Sequence, residues 1–573
     1  MSISLYDRIV DLARRRGFFW PSSEIYGGVS GFIDFGPLGF LLKKNIEEKW
    51  RKWFILRHQD FIYEIETPII MPERVFEASG HLQHFTDTIV ECLNCRRKFR
   101  ADHLIEVATG LKNLEGYTPS QLVEIIRNRN IKCPECGGEL SDVRTFLLLF
   151  KTNIGPYNES IGYARPEAAQ GMFTTFMRIF RTQREKLPIG IAQVGKVLRN
   201  EISPRQGLIR LREFTIMELE LFFDKNNPSC DLINEYLNEK LRLLPEVMVE
   251  KAIEEGIEVT VDEALKKGYI LNPWNAYFMV LAKKFILELG VSENKQRFVA
   301  KLKSERAHYS AQTYDQQVLV DKWGWIEVSG HAYRTDYDLR RHMIFSGQEM
   351  YVHKKLSHQM DVEVIEAIPK IDLIKEKYPK DFNNVIKILR EIDSDFLKKA
   401  LDELGKYNVK GFEITRDIVE FKASRTLSSS RKFIPNVAEP SFGLERLVYI
   451  VMENAYSEVN NRVVLKLPRD IAPIQVIVLP LVNRGGIPEK AIYICKMLRN
   501  NGFITEYDDK GSIGRRYARA DEIGIPVAIT IDGQTLEDNT VTVRDRDTWK
   551  QVRVRIDELP NFIKNFIEKG INI

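Results

Sequence analysis

The chain has 573 residues, 44% hydrophobic and 29% charged, the composition of a folded chain with a sizeable core, which excludes long intrinsic disorder. With 84 basic against 80 acidic residues the net charge is +4, which neither announces nor excludes a nucleic-acid partner, because affinity for a polyanion follows local phosphate contacts. No apolar run approaches the roughly 18 residues of a membrane span, and residues 1–20 carry charges among their apolar positions without a small-residue cleavage site, so the chain reads as cytoplasmic, with no membrane partner.

In chain order, Leu38, Leu41, Leu42, Ile46, Trp50, Trp53 and Phe54 recur at helical spacing after Pro37, which a first turn accepts. A strand follows over 61–65 and ends at Thr67-Pro68. Residues 91–140 hold four of the six cysteines as two C-x2-C pairs, Cys92 with Cys95 and Cys133 with Cys136. That is no disulfide framework. It is the donor set of a closed, structural Zn²⁺ site in a zinc-ribbon-like insert, with a helix over 119–129 between the pairs.

Strands are predicted over 191–194 and 213–223. In the second, Phe214, Ile216, Glu218 and Glu220 share one face, and Thr215, Met217, Leu219 and Leu221 the other. Segments 225–320 and 352–432 are charge-rich and read as helical insertions. Beyond Pro468 the pattern becomes strand 474–481, helix 488–499, strand 503–507, helix 513–523 and strand 527–531, a separate α/β domain. In its second helix Arg515, Arg516 and Arg519 suit either unpaired bases or ion pairs at helical spacing.

Arg199 and Glu201, two apart on an expected strand, can grip a phosphate and accept from an amino group such as that of adenine. Alone, an R-x-E is equally a surface ion pair. Its companion is the segment 439–447, where Gly443 permits close approach of a ligand and Arg446 opens a helix whose N-terminus favours phosphate. The sequence offers no Ser-His-Asp set and no P-loop. A reaction in which the substrate's own carboxylate attacks phosphorus needs neither; it needs positioning and cations. His81 and His84 read as structural.

Segments 36–68, 197–214 and 439–447 resemble motifs 1, 2 and 3 of the class II aminoacyl-tRNA synthetases. Segments 78–87, 99–104, 165–171, 199–205 and 333–339 further resemble the glycyl-tRNA synthetases of the archaeal and eukaryotic dimeric type. The resemblance implies an α+β fold, with a catalytic domain of antiparallel sheet and helices over 1–467 and an anticodon-binding α/β domain over 468–573. It implies a homodimer joined around 38–68, ATP with Mg²⁺, glycine and tRNA(Gly) as substrates, and glycyl-adenylate as the intermediate. ATP would be met by Arg199, Asn200 and Glu201, by Ile209, Arg210, Leu211, Arg212, Glu213 and Phe214, by Glu327 and Val328, and by Gly443, Leu444, Glu445 and Arg446, with Arg199 and Arg446 catalytic. Glycine would be met by Arg100, Glu167, Phe214, Thr215, Ile216, Met217, Glu218, Arg334, Glu439, Pro440, Ser441, Phe442 and Gly443. The sequence departs from the family pattern at His331 and Tyr333, where a small apolar residue and an acid are expected.

Overall fold

A computed structural model describes residues 3–569 apart from 112, 113, 115, 157–159 and 205. Nine strands form the central sheet: β1 (Ile62–Glu64), β2 (Ile189–Leu198), β3 (Glu213–Phe223), β4 (Lys240–Leu244), β5 (Ile257–Thr260), β6 (Gln296–Ala300), β7 (Gln312–Val320), β8 (Gly324–Thr335) and β9 (Asn436–Gly443). Their order is β5-β4-β6-β7-β8-β9-β3-β2-β1. Pairing is antiparallel except between β4 and β6 and between β1 and β2.

Helices α1 (Pro37–Phe54), α2 (Ala169–Thr182), α3 (Pro273–Glu288), α4 (Tyr337–Ser346) and α5 (Leu444–Ala455) cover the sheet. The period-2 alternation of β3 divides them into two layers. Met217, Leu219, Leu221 and Phe223 pack with α1, α3 and α5, whereas Ile216 and Phe222 pack with α2 and α4. Glu218 and Glu220 therefore lie on the α2/α4 side.

Helix α1 starts after Gly36 with Pro37 in its first turn. A Cβ at Gly39 would lie 1.8 Å from the Phe18 carbonyl oxygen, so the close approach requires glycine there. Trp50 and Phe54 are fully buried, and their rings lie 6.3 and 5.0 Å from that of Phe442. The aromatic stripe is thus consumed inside one chain and does not supply a surplus face for a second copy.

Two sequence expectations are corrected. Segment 225–320 is no helical decoration: it contributes β4, β5, β6 and β7 to the central sheet, and α3 is buried nearly all round. A helix apolar on every side carries no amphipathic stripe to mark it as core. Within 352–432 only Ile371–Lys377, Phe382–Glu391 and Ser394–Leu404 are helices. Val352–Pro369 and Val419–Phe433 pair as a long antiparallel ribbon. Both its faces are largely exposed, so the short alternation from Met360 to Val364 marks no buried face.

The cysteine-bearing insert is a three-stranded sheet (Thr86–Glu91, Lys98–Arg100, Arg144–Leu147). Helices Ala101–Thr109 and Pro119–Asn128 close its small core around Val90, Ile105 and Leu122. In the C-terminal domain Thr505–Tyr507, Val476–Pro480 and Val527–Ile531 run parallel, and Thr540–Asp545 and Gln551–Arg555 extend the sheet antiparallel. Arg516 is buried and donates to the carbonyls of Gly511 and Pro480, and Arg519 pairs with Asp508. Two of the three helix arginines are therefore used inside the domain. Among the described residues no helix is long and apolar enough to cross a membrane.

Candidate active site

Strand β9 lies between β3 and β8 and faces Ser441 to Glu218 on one side and to Gly330 on the other. Glu439 is opposite Ala332. These residues floor a cleft of about 670 Å³ whose walls include Glu167, Glu218, Glu439, Ser441, Arg199 and Glu327. The cleft continues into a pocket of about 100 Å³ bounded by Phe214, Gly443 and Arg446.

At the acidic end Arg334, wholly buried, donates to Glu439 Oε2 at 2.9 Å, to Glu167 Oε1 at 3.1 Å and to both oxygens of Asp338 at 2.9 and 3.1 Å. Its guanidinium lies 3.7 Å from the centre of the Tyr309 ring. Burial pushes the Glu167 carboxyl up, but Arg334 and His81 outweigh it and hold the group well below the ordinary range. Glu218 accepts from the Ala168 N–H at 2.6 Å, yet burial, with Glu439 and Glu167 beside it, pushes its carboxyl well up. One acid is therefore held ionised and its neighbour held neutral.

Strand alternation turns several expected glycine and ATP contacts away. Met217, Phe442, Val328 and Leu444 bury their side chains in the α1/α3/α5 core. Thr215 takes the Lys43 ammonium on its hydroxyl. Pro440 is buried opposite His331, on the face where the His331 ring meets Phe442 at 6.1 Å. For these six residues a ligand could meet only the backbone. His331, buried and held neutral by that burial with a pKa near 3, is a core residue, which accounts for one departure from the family pattern. Tyr333 donates nothing to the acids; its hydroxyl accepts from Asn436.

At the other end, β2 stops at Leu198, so Arg199 and Glu201 lie on the following loop and share no strand face. Arg199 Nε donates to the Pro166 carbonyl at 3.1 Å, with its guanidinium 5.3 Å from the Phe214 ring centre. Arg446 donates to the carbonyls of Ile209 and Glu327 at 2.8 and 2.9 Å. Glu201 accepts from Arg210 at 2.7 Å, and Arg212 ties the same loop down through the carbonyls of Glu201 and Ser30. The Asn200 N–H is spent on the Leu148 carbonyl. Glu213 pairs with Lys196.

Glu445 accepts from Lys43 and the Thr215 N–H, so it locks α5 to α1 and β3. Arg100 pairs with Asp102 and Asp87 on the outer wall of the cleft. Ile209, Leu211 and Ile216 supply apolar walls. A Cβ on Gly443 would meet only the Arg446 methylenes, at 3.8 Å, so its absence keeps room for a ligand.

Asp315, Asp338 and Tyr309 were missed by sequence reasoning, which placed Glu220 on the Glu218 face without a role and read His81 as structural. Asp338 lies four residues after Arg334, but Arg334 lies at the end of a strand and Asp338 in the first turn of a helix, so no single period joins them in the sequence. His81 Nε2 lies 3.6 Å from Glu167, so this histidine belongs to the site and not only to the scaffold. Asp315 lies beside Glu327: burial and the Glu327 charge push its carboxyl up to about 7. Burial raises Glu327 too, but Arg446, Lys301 and Arg199 together carry it below its usual value. Two adjacent carboxyls among cations form a hard-donor set that fits Mg²⁺.

In the insert, Cys92 Sγ is 3.5 Å from Cys136 Sγ and Cys95 Sγ is 3.7 Å from Cys133 Sγ. All four sulfurs lie within 4.8 Å of one another. Zinc–sulfur bonds of about 2.3 Å at tetrahedral angles put sulfurs about 3.8 Å apart. The backbone N–H groups of Cys95 and Asn94 lower the Cys92 thiol, whereas the Cys95 thiol, though the Arg97 N–H lowers it, is pushed up by burial and the three neighbouring thiols, a crowding of sulfurs that a bound cation would relieve. The donors fit the ion.

Residues 157–455 match the family model described as tRNA synthetase class II core domain (G, H, P, S and T), and residues 475–566 match the anticodon binding domain. The chain is 49% identical to the glycine–tRNA ligase of Aeropyrum pernix, over 100% of this chain and 98% of that one. It is 47% identical to that of Pyrococcus horikoshii, over 98% of each, and 46% identical to that of Methanocaldococcus jannaschii, over 99% and 100%. In fold it is similar to the prolyl-tRNA synthetase of Cryptosporidium parvum complexed with L-proline and AMP, with a TM-score of 0.50 at 12% identity, covering 99% of this chain and 76% of that one. With two class II domains in this order and near-half identity along its length, the chain belongs to the glycine–tRNA ligase family of class II aminoacyl-tRNA synthetases.

Proposed function

We propose that this chain activates glycine with ATP and passes the glycyl group to the 3′ end of tRNA(Gly). The observation that carries the reading is the continuity of one cleft: acids suited to an ammonium at one end, Arg199, Glu327 and Arg446 at the other, and Ser441 on the walls of both parts. Glycine presents only an ammonium and a carboxylate. Glu218 and Glu439, with Glu167 held by Arg334, receive the ammonium. A carboxylate oxygen then bonds to the α-phosphorus, the bond from that phosphorus to the bridging oxygen breaks, and pyrophosphate leaves. The terminal hydroxyl of the tRNA next attacks the glycyl carbonyl and AMP departs.

Side chains act here by orientation and charge. Arg199 serves the α-phosphate and Arg446 the γ-phosphate, each reached from a backbone carbonyl it now holds. Mg²⁺ held at Glu327 and Asp315 would neutralise phosphate charge, and Zn²⁺ at the four cysteines would brace the insert.

Selectivity follows from exclusion. Ser441 lies on the walls of both parts of the cleft, and in this reading a methyl added to the substrate must push against the side chains packed there. The reading includes a homodimer through the surface around α1, where Phe40 and Leu56 are more than half exposed, and the cytoplasmic location that tRNA charging entails. Exchange of pyrophosphate into ATP tests it: glycine should support exchange, and alanine, serine and proline should not. Equal exchange with alanine would defeat it.

A further inference from the structure

Glu220 has no role in the chemistry above, and its setting is unusual for a carboxyl. It is completely buried, and neither side-chain oxygen has a hydrogen-bond partner among the described residues. The register that pairs Glu218 with Ser441 and Leu221 with Ala438 places Glu220 across from Glu439. Candidate ligand oxygens of Glu218, Glu220 and Glu439 all lie within 4.8 Å of one another. On the same strand face the next residue is Phe222, packed against Phe173 and Phe176, so the polar pocket ends at Glu220 and hydrocarbon begins.

The charged groups around it are Glu218 on its own strand, Glu439 on β9, Arg334 on β8, Asp338 and His342 on α4, and Glu167 just before α2. Burial holds His342 neutral. Arg334 is the nearest cation, and its donors go to Asp338, Glu167 and Glu439. An ionised, unpaired carboxylate in such a place costs several kcal/mol; binding a proton removes that cost. Burial, then Glu439, acts in that direction and pushes the Glu220 carboxyl well above its usual range.

We propose that Glu220 is a positioning residue for glycine: as an un-ionised carboxylic acid across from Glu439, it turns to donate a hydrogen bond to Glu439 from the buried side when glycine binds, leaving the edge between Glu439 and Glu218 open to the ammonium. Glu439 gives Oε2 to Arg334, and its second oxygen needs another donor. In this structure that donor is Glu218, whose side chain is hydrogen-bonded to Glu439, so the two acids that should face the ammonium bind each other. When glycine binds, the proton on Glu220 replaces Glu218 as that donor, and Glu218 is released to the ammonium. The inference rests on the acid pocket being the glycine site.

Glu220→Gln and Glu220→Met separate the donor from the bulk. Gln keeps an N–H donor; Met fills similar space without one, and buried acids can be exchanged for apolar isosteres without loss of stability. The KM for glycine in pyrophosphate exchange should stay within about twofold of wild type for Gln and rise about tenfold or more for Met. The KM for ATP and the melting temperature should hold in both. Wild-type glycine KM in Glu220→Met would overturn the inference, and so would equal impairment of the two variants. Glu218→Gln, measured in parallel, tests the pocket itself: if that variant keeps the wild-type glycine KM, the glycine site is elsewhere, whatever Glu220 does.

Discussion

At the acidic end of the cleft Glu167, Glu439 and Asp338 share one guanidinium with Glu218 and Glu220 beside them, and all six side chains are at most 8% exposed. At the nucleotide end the Arg446 and Glu327 side chains are 32% and 42% exposed, and the arginines rest on backbone carbonyls. Out of water, charges must be paired or discharged before any ligand arrives. Near water they can wait in provisional contacts. The end proposed for glycine is thus built in advance by proton and guanidinium placement, and the end proposed for ATP would be completed by its ligand.

Substitutions should break the two ends differently. The largest effect is expected from Arg334→Met, which strands three buried acids; denaturant unfolding should show a loss of about 3–5 kcal/mol, and exchange should vanish with it. Unfolding that matches wild type would show that the acids do not depend on this guanidinium. Arg199→Ala should leave unfolding unchanged and lower adenylate formation 10²–10³-fold, about 3–4 kcal/mol of transition-state stabilisation. An unaltered exchange rate would remove Arg199 from the chemistry.

Glu218→Gln should raise the glycine KM about 10–100-fold, because an arriving ammonium can draw the proton off Glu218 and Gln cannot become its counter-charge. Stability should move the other way. A carboxyl whose pKa is raised on folding binds more protons in the native than in the unfolded state, so it subtracts stability as pH climbs above its unfolded value near 4.5. The variant should therefore gain on wild type in melting temperature from acid to neutral pH; parallel curves would contradict the neutral assignment. Ser441→Ala, which loosens the floor by one hydroxyl, should weaken glycine use about fivefold and admit measurable alanine activation. Cys92→Ser should abolish a bound zinc equivalent while changing the KM for glycine by less than about twofold, since the metal site lies in an insert with its own core. Full zinc content by metal analysis would refute the four-cysteine assignment.

Much of this was legible in the chain. The C-x2-C pairs, the alternating β3 with Glu218 and Glu220 on one face, the α1 stripe after Pro37 and the strand–helix rhythm beyond residue 468 are local patterns, fixed by covalent spacing and strand or helix period. The resemblance of segments 36–68, 197–214 and 439–447 to family motifs likewise needs no coordinates.

Other features were decided only by tertiary structure. Helix α3, apolar all round, reveals its place only once the sheet lies beneath it, and the 352–433 ribbon has no buried face to pattern it. Nothing local shows that Trp50 and Phe54 are used up against Phe442, that Asp315 stands beside Glu327, or that one arginine reconciles acids from four separate segments. Which carboxyl is ionised and which holds its proton depends on the water removed and the charges brought together by distant strands. Spacing in the chain records the first kind of fact; only the folded dielectric and its neighbours determine the second.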